Sequence, residues 1–141
     1  MRDLMNNIRP VRAISPGAAV TDNTPAVGQV IDTLGYGSLT FVILTGSLAD
    51  ADATFSTLVE HGDEADLSDA AAVPDTGLIG TEALAGFTFA DDNECRKIGY
   101  VGGKRYARVT ITPAANAGDA YLAAVAILGH PTTAPTSNPP A

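Results

Sequence analysis

An all-β fold, an antiparallel β-sandwich of jelly-roll-like form, is the class this sequence predicts. Three observations lead there. Short runs rich in β-branched and aromatic residues alternate with connections rich in Gly, Pro and Asp. No long stretch carries the 3.6-residue apolar period of an amphipathic helix. Regular strand–helix–strand alternation, the mark of a parallel sheet, is absent. At 141 residues the chain is large enough for one domain that buries its own core without disulfides or metal. The expected organisation is an extended N-terminal arm over 1–27, a sandwich over 28–130 and a proline-rich, extended C-terminal tail over 131–141.

The elements follow in order. Residues 1 to about 25 hold Pro10, Pro16, Gly17 and Pro25 with no sustained periodicity, hence the arm. "GQVID" (28–32) is a short strand ended by the turn residues of "LGYGS". "SLTFVILTG" (38–46) is the clearest strand, apolar at alternate positions of both faces. It is therefore expected to be covered on both sides or to lie near a subunit contact. In "DADATFSTLVEHGD" (50–63) Phe55, Thr57 and Val59 alternate with Thr54, Ser56 and Leu58. "TEALAG" (81–86) suits one helical turn with Thr81 as its N-cap, and "GFTFAD" (86–91) a strand. "AYLAAVAILG" (120–129) has alanines that favour helix, but its shortness and aliphatic end favour a buried strand.

Between them, "KIGYVGGKRYARVTIT" (97–112) predicts a hairpin about a type I′ turn at Gly102-Gly103. In that register Tyr106 faces Gly99, and Ile98, Tyr100, Ala107, Val109 and Ile111 share the core face. Lys97, Lys104, Tyr106 and Arg108 share the other.

Charge is unevenly distributed. Sixteen acids against eight bases give a net charge of −8, which disfavours nucleic acid as a main partner. Setting aside Asp3 and Asp119, all sixteen acids but those two lie in residues 13–95, a stretch without Lys or Arg. Five of the eight bases crowd into the predicted hairpin (Arg96, Lys97, Lys104, Arg105, Arg108), and three lie in the arm (Arg2, Arg9, Arg12). No apolar run reaches the ~20 residues that span a bilayer, and the N-terminus lacks an apolar signal core, so no membrane association and a cytoplasmic site of synthesis are expected.

Candidate chemistry is sparse. Cys95 is the single cysteine, and neither it nor His61 and His130 sits in a nucleophile motif. Asp63, Asp66 and Asp69 lack the ladder, central Gly and closing Glu of a calcium loop. The glycines at 99, 102 and 103 match no phosphate-binding fingerprint. The reading is of a non-enzyme, with no cofactor and no metal.

The string "RKIGYVGGKRYARVTITP", followed by a short Gly/Ala loop and "AAVAILGHP", resembles the small head decoration, or cement, proteins of tailed bacteriophages. The acidic "EHGDEADLSDAAAVPD" fits the same pattern, and the resemblance covers 28–131. It implies a jelly-roll-like sandwich with a structural, non-chemical role: a homodimer on the outer surface of the virion that binds the major capsid protein and stabilises the shell by bridging neighbours. On that reading Arg2, Arg9 and Arg12 of the arm, with Lys97, Lys104, Tyr106 and Arg108 of the hairpin, form the capsid or dimer interface. The other reading is a carbohydrate- or host-surface-binding jelly-roll module, which requires clustered aromatics among Tyr36, Tyr100, Tyr106 and Tyr121.

Overall fold

The computed structural model describes residues 1–139. Among them are β1 (Ile8–Ile14), β2 (Ala26–Val27), β3 (Ile31–Asp32), β4 (Tyr36–Leu48), β5 (Thr54–Gly62) and β6 (Ala71–Ala72). Then follow β7 (Leu78–Ile79), the helical turn α1 (Glu82–Ala85), β8 (Phe87–Thr88), β9 (Cys95–Tyr100), β10 (Tyr106–Ala114) and β11 (Ala120–Pro131). The strands form two antiparallel sheets packed face to face, a β-sandwich. The front sheet has the order β1-β11-β4-β9-β7; the back sheet has the order β2-β10-β5-β6, with β3 also on β10 and β8 also on β5.

Alternation along the long strands builds the core. On β4, Leu39, Phe41 and Ile43 point inward, and on β11, Leu122, Ala124, Ala126 and Leu128 do the same. They meet Phe55, Val59, Val109 and Ile111 of the back sheet in one apolar cluster. Each large side chain removed from water in this way contributes about 1.5–3 kcal/mol. Phe55 and Phe87 stack with ring centroids 4.7 Å apart. Thr81 caps α1 by accepting from the Leu84 N–H at 3.1 Å, and residues 120–129 are strand, both as the sequence reads.

Three expectations need correction. The N-terminal arm over 1–27 is not an arm. Its β1 pairs with β11 from Ile8↔Gly129 to Ile14↔Ala124 and buries Ala13 and Ile14. Farther on, Val20 bridges Ala120, and the Asn116 side chain donates to the carbonyls of Val20 and Asp22. The β-branched and apolar residues of "IRPVRAI" outweigh its proline, which an edge strand tolerates.

The hairpin is the second. β9 pairs with β4 and β7 in the front sheet, whereas β10 pairs with β2, β3 and β5 in the back sheet. Residues 101–105 therefore cross between sheets and do not turn within one. A type I′ turn needs positive φ at both central residues, and the positive-φ glycines are Gly35 and Gly80, not Gly102 or Gly103. Gly102 serves a different need: a Cβ there would lie 2.5 Å from Cε2 of the Tyr100 ring. The facing, by contrast, is as expected, because alternation does not depend on which strand is the neighbour. Ile98, Tyr100, Ala107, Val109 and Ile111 are all buried.

The third concerns the tail. β11 runs through Pro131, and within the described part of 131–141 Thr136 folds back onto the N-terminal turn. Its N–H donates to the Asn6 carbonyl at 3.0 Å and its hydroxyl to the Ile8 carbonyl at 2.6 Å.

Candidate functional site

The crossing from β9 to β10 distributes the expected interface residues over opposite sides of the molecule. Lys97 faces outward from the front sheet; Tyr106 and Arg108 face outward from the back sheet. Tyr106 has Asp32 and Gly62 as neighbours across the strands, and Gly99 instead lies between Thr40 and Ile79.

On the back sheet the cations are already satisfied. Arg105 grips Asp32 with two bonds, Nε to Oδ1 at 2.9 Å and Nη2 to Oδ2 at 2.8 Å, and its guanidinium lies 5.0 Å from the Tyr106 ring centroid. That fork holds the Asp32 carboxyl below its ordinary range. Arg108 Nε donates to Glu60 at 2.9 Å between cross-strand neighbours, and Lys104 pairs with Asp63. Arg96, at the front-sheet edge, bridges Asp91 and Glu94, each at 2.8 Å. The acidic middle of the chain folds against these strands and pairs four of the five bases in 96–108.

Tyr100 is a structural tie between the sheets. Its hydroxyl donates to the Lys104 carbonyl and accepts from the Lys104 N–H, both at 3.0 Å, and His61 Nδ1 of β5 lies 3.0 Å away. With the single hydroxyl proton spent on the carbonyl, the His61 nitrogen is the donor. Burial raises the Tyr100 pKa, which keeps the phenol protonated for this role.

The outer face of the front sheet is of a different kind. Register places Arg12, Val125, Val42 and Lys97 in one row across β1, β11, β4 and β9. The adjacent rows are Pro10–Ile127–Thr40–Gly99 and Ala123–Leu44–Cys95. None of these outward positions is Asp or Glu. The face is open: Leu44 is 52% exposed, and Pro10, Arg12, Cys95 and Lys97 are exposed. A shallow concavity of about 370 Å³ lies over its Cys95 end, with Pro16 at one side. Among the described residues Lys97 and Arg12 have no ion-pair partner, and the hydrogen bond of the Arg12 guanidinium goes to the Ser15 hydroxyl. The expected outer positions of 38–46 are thus not covered within the chain.

Of the seven interface residues expected from sequence, Arg12 and Lys97 meet on the outer face of the front sheet, whereas Tyr106 and Arg108 share the opposite, back face. Arg2 is exposed in the first residues, Arg9 is half-buried near Asp32, and Lys104, Tyr106 and Arg108 belong to the self-paired set. The apolar members, Val42, Leu44, Val125 and Ile127, were missed as site residues; the signal that pointed to them was the two-sided apolar character of 38–46.

Cys95, His61 and His130 are not brought together. Cys95 lies on the front face beside Leu44, His61 contacts Tyr100, and His130 Nδ1 contacts the Ser38 hydroxyl at 2.9 Å. In the acidic loop the carboxylates serve the backbone: Asp69 accepts from the N–H groups of Asp63 and Glu64, and Asp66 from that of Ser68. These bonds hold both carboxyls below their ordinary range. Among the described residues no three His, Cys, Asp or Glu side chains are grouped as a metal site would need. No family model and no curated protein matches the chain.

Proposed function

We propose that this protein is a capsid cement, or decoration, protein: a non-enzymatic module that binds the outer surface of a bacteriophage's major capsid protein shell and bridges neighbouring subunits as a homodimer. The observation that carries the reading is the acid-free, apolar outer face of the front sheet in a chain of net charge −8. An exposed, contiguous apolar patch on a small sandwich marks an adhesive surface. We read the winding as a jelly roll, since β4, β5, β9, β10 and β11 include repeated passages from one sheet to the other.

Cement action needs only modest contacts. A dimer that bridges adjacent sites binds its second site at high effective concentration. Preference for the assembled shell over its dissociated subunits then stabilises the shell by mass action. The sequence resemblance to head decoration proteins points the same way. The glycan-binding reading lacks its aromatic platform: Tyr100 is core, Tyr106 is occupied by Arg105, and Tyr121 stands at the far end of β11.

Co-sedimentation tests the proposal. Purified protein mixed with undecorated shells of the encoding phage is expected to pellet at a saturating stoichiometry and to raise the temperature at which the shells rupture. Protein left in the supernatant at low salt would overturn it.

A further inference from the structure

We infer that the Arg12–Val125–Val42–Lys97 row is the element that grips the capsid, and that its partner is a protein surface presenting apolar side chains between two carboxylates. The inference rests on the decoration reading and specifies its docking face and the chemistry of the partner.

Three steps lead there. Three inter-strand spacings separate β1 from β9, so the two cations stand about 14 Å apart at the backbone, with valines between them. Arg96, Lys104, Arg105 and Arg108 each have an intramolecular carboxylate, whereas Arg12 and Lys97 have none among the described residues. Covering the valines takes both cations partly out of water. That is unfavourable unless whatever covers them brings carboxylates of its own.

The same reasoning disfavours a second copy on this face. A two-fold contact would gather four cations and no carboxylate from these strands, since none of the outward positions is acidic. Self-association therefore belongs elsewhere on the molecule. A nucleic acid fits poorly, because phosphates gain nothing from the valines and are repelled by the chain's net charge of −8.

Cys95 provides the measurement. It is the chain's single cysteine, exposed, and paired in register with Leu44 on this face. With the unaltered chain bound to undecorated shells of the encoding phage, its reaction with a disulfide-exchange reagent is expected to slow in proportion to the fraction bound. The double variant Arg12→Glu/Lys97→Glu is expected to bind shells about tenfold more weakly, with its melting temperature unchanged. If the protein pellets with shells while Cys95 reacts as in the free chain, the face is misassigned and the decoration reading stands. If it does not pellet, both fall. Protection of Cys95 in the protein alone, together with a dimer mass that Val125→Asp abolishes, would make the face a self-contact and overturn the inference. The protection experiment uses the unaltered chain, so misfolding of a variant does not blunt it.

Discussion

The two outer faces of the sandwich are built from the same kind of strand and differ in what their charges are doing. The back face carries more cations, yet Arg105 and Arg108 spend theirs on Asp32 and Glu60. The front face carries two, Arg12 and Lys97, on an apolar field without carboxylates. Density of basic residues along a chain therefore says little about available positive charge. Availability depends on which acids the fold brings alongside, and a paired surface cation contributes little to either stability or attachment.

Removing residues 1–14 should give the largest effect and breaks the front face outright. It deletes β1, takes Arg12 with it, leaves the edge of β11 unpaired and removes Ala13 and Ile14 from the core, so stability should fall by about 3 kcal/mol or more in urea unfolding. A truncated chain with an unchanged midpoint would restore the idea of an independent arm.

Next come two neighbours on β4 that point to opposite sides. Phe41→Ala, in the core, should cost about 3–5 kcal/mol. Val42→Asp, on the open face, should leave most of the stability and abolish co-sedimentation with shells. Equal unfolding costs for the pair would mean that the front face is packed and not free.

Tyr100→Phe removes the hydroxyl that links β9, the crossing segment and His61. A loss of about 1–2 kcal/mol is expected by thermal or urea unfolding, with shell binding retained. Smaller still is Arg108→Ala on the back face, with about 1 kcal/mol lost from the half-buried pair with Glu60 and attachment unaltered. Loss of attachment in that variant would reverse the assignment of the two faces.

The least localised effect is on pH. Asp32 is held below its ordinary value of 3.8, chiefly by the Arg105 bonds. The unfolded chain therefore takes up that proton at higher pH than the folded one does. The stabilisation is complete above the ordinary value and is lost as pH falls through it toward the depressed one. Melting temperature should be flat from pH 7 to about 5 and drop below that, and Asp32→Asn should remove part of the drop. An unchanged slope in that variant would mean that the fork contributes nothing.

Much of the sandwich was legible because alternation is local. The inward positions of β9 and β10, the alternation along β5, the Thr81 cap and the strand at 120–129 all follow from residue type and spacing, whereas β4, apolar on both faces, did not show which side is core. Strand partners were not legible. Gly102-Gly103 has the composition of a tight turn, but no local signal distinguishes a turn within a sheet from a passage between sheets. Pro10, Pro16 and Pro25 likewise made the first 25 residues read as loose chain, because the strand that β1 pairs with, β11, lies more than a hundred positions away. The candidate site suffered most, since it depends on partners: the cations were visible, their carboxylates were not.

By itself the sequence determined the all-β class, the core-facing residues of β9 and β10 and the polarised placement of acids and bases, because these depend on period, propensity and composition. Only the tertiary structure decided that β9 and β10 lie in different sheets, that the acidic middle neutralises most of the basic cluster, and that Arg12 and Lys97 flank an open apolar row. Those outcomes depend on contacts between residues distant in sequence, and such contacts are set by how the sheets pair and pack, not by any property of a single segment.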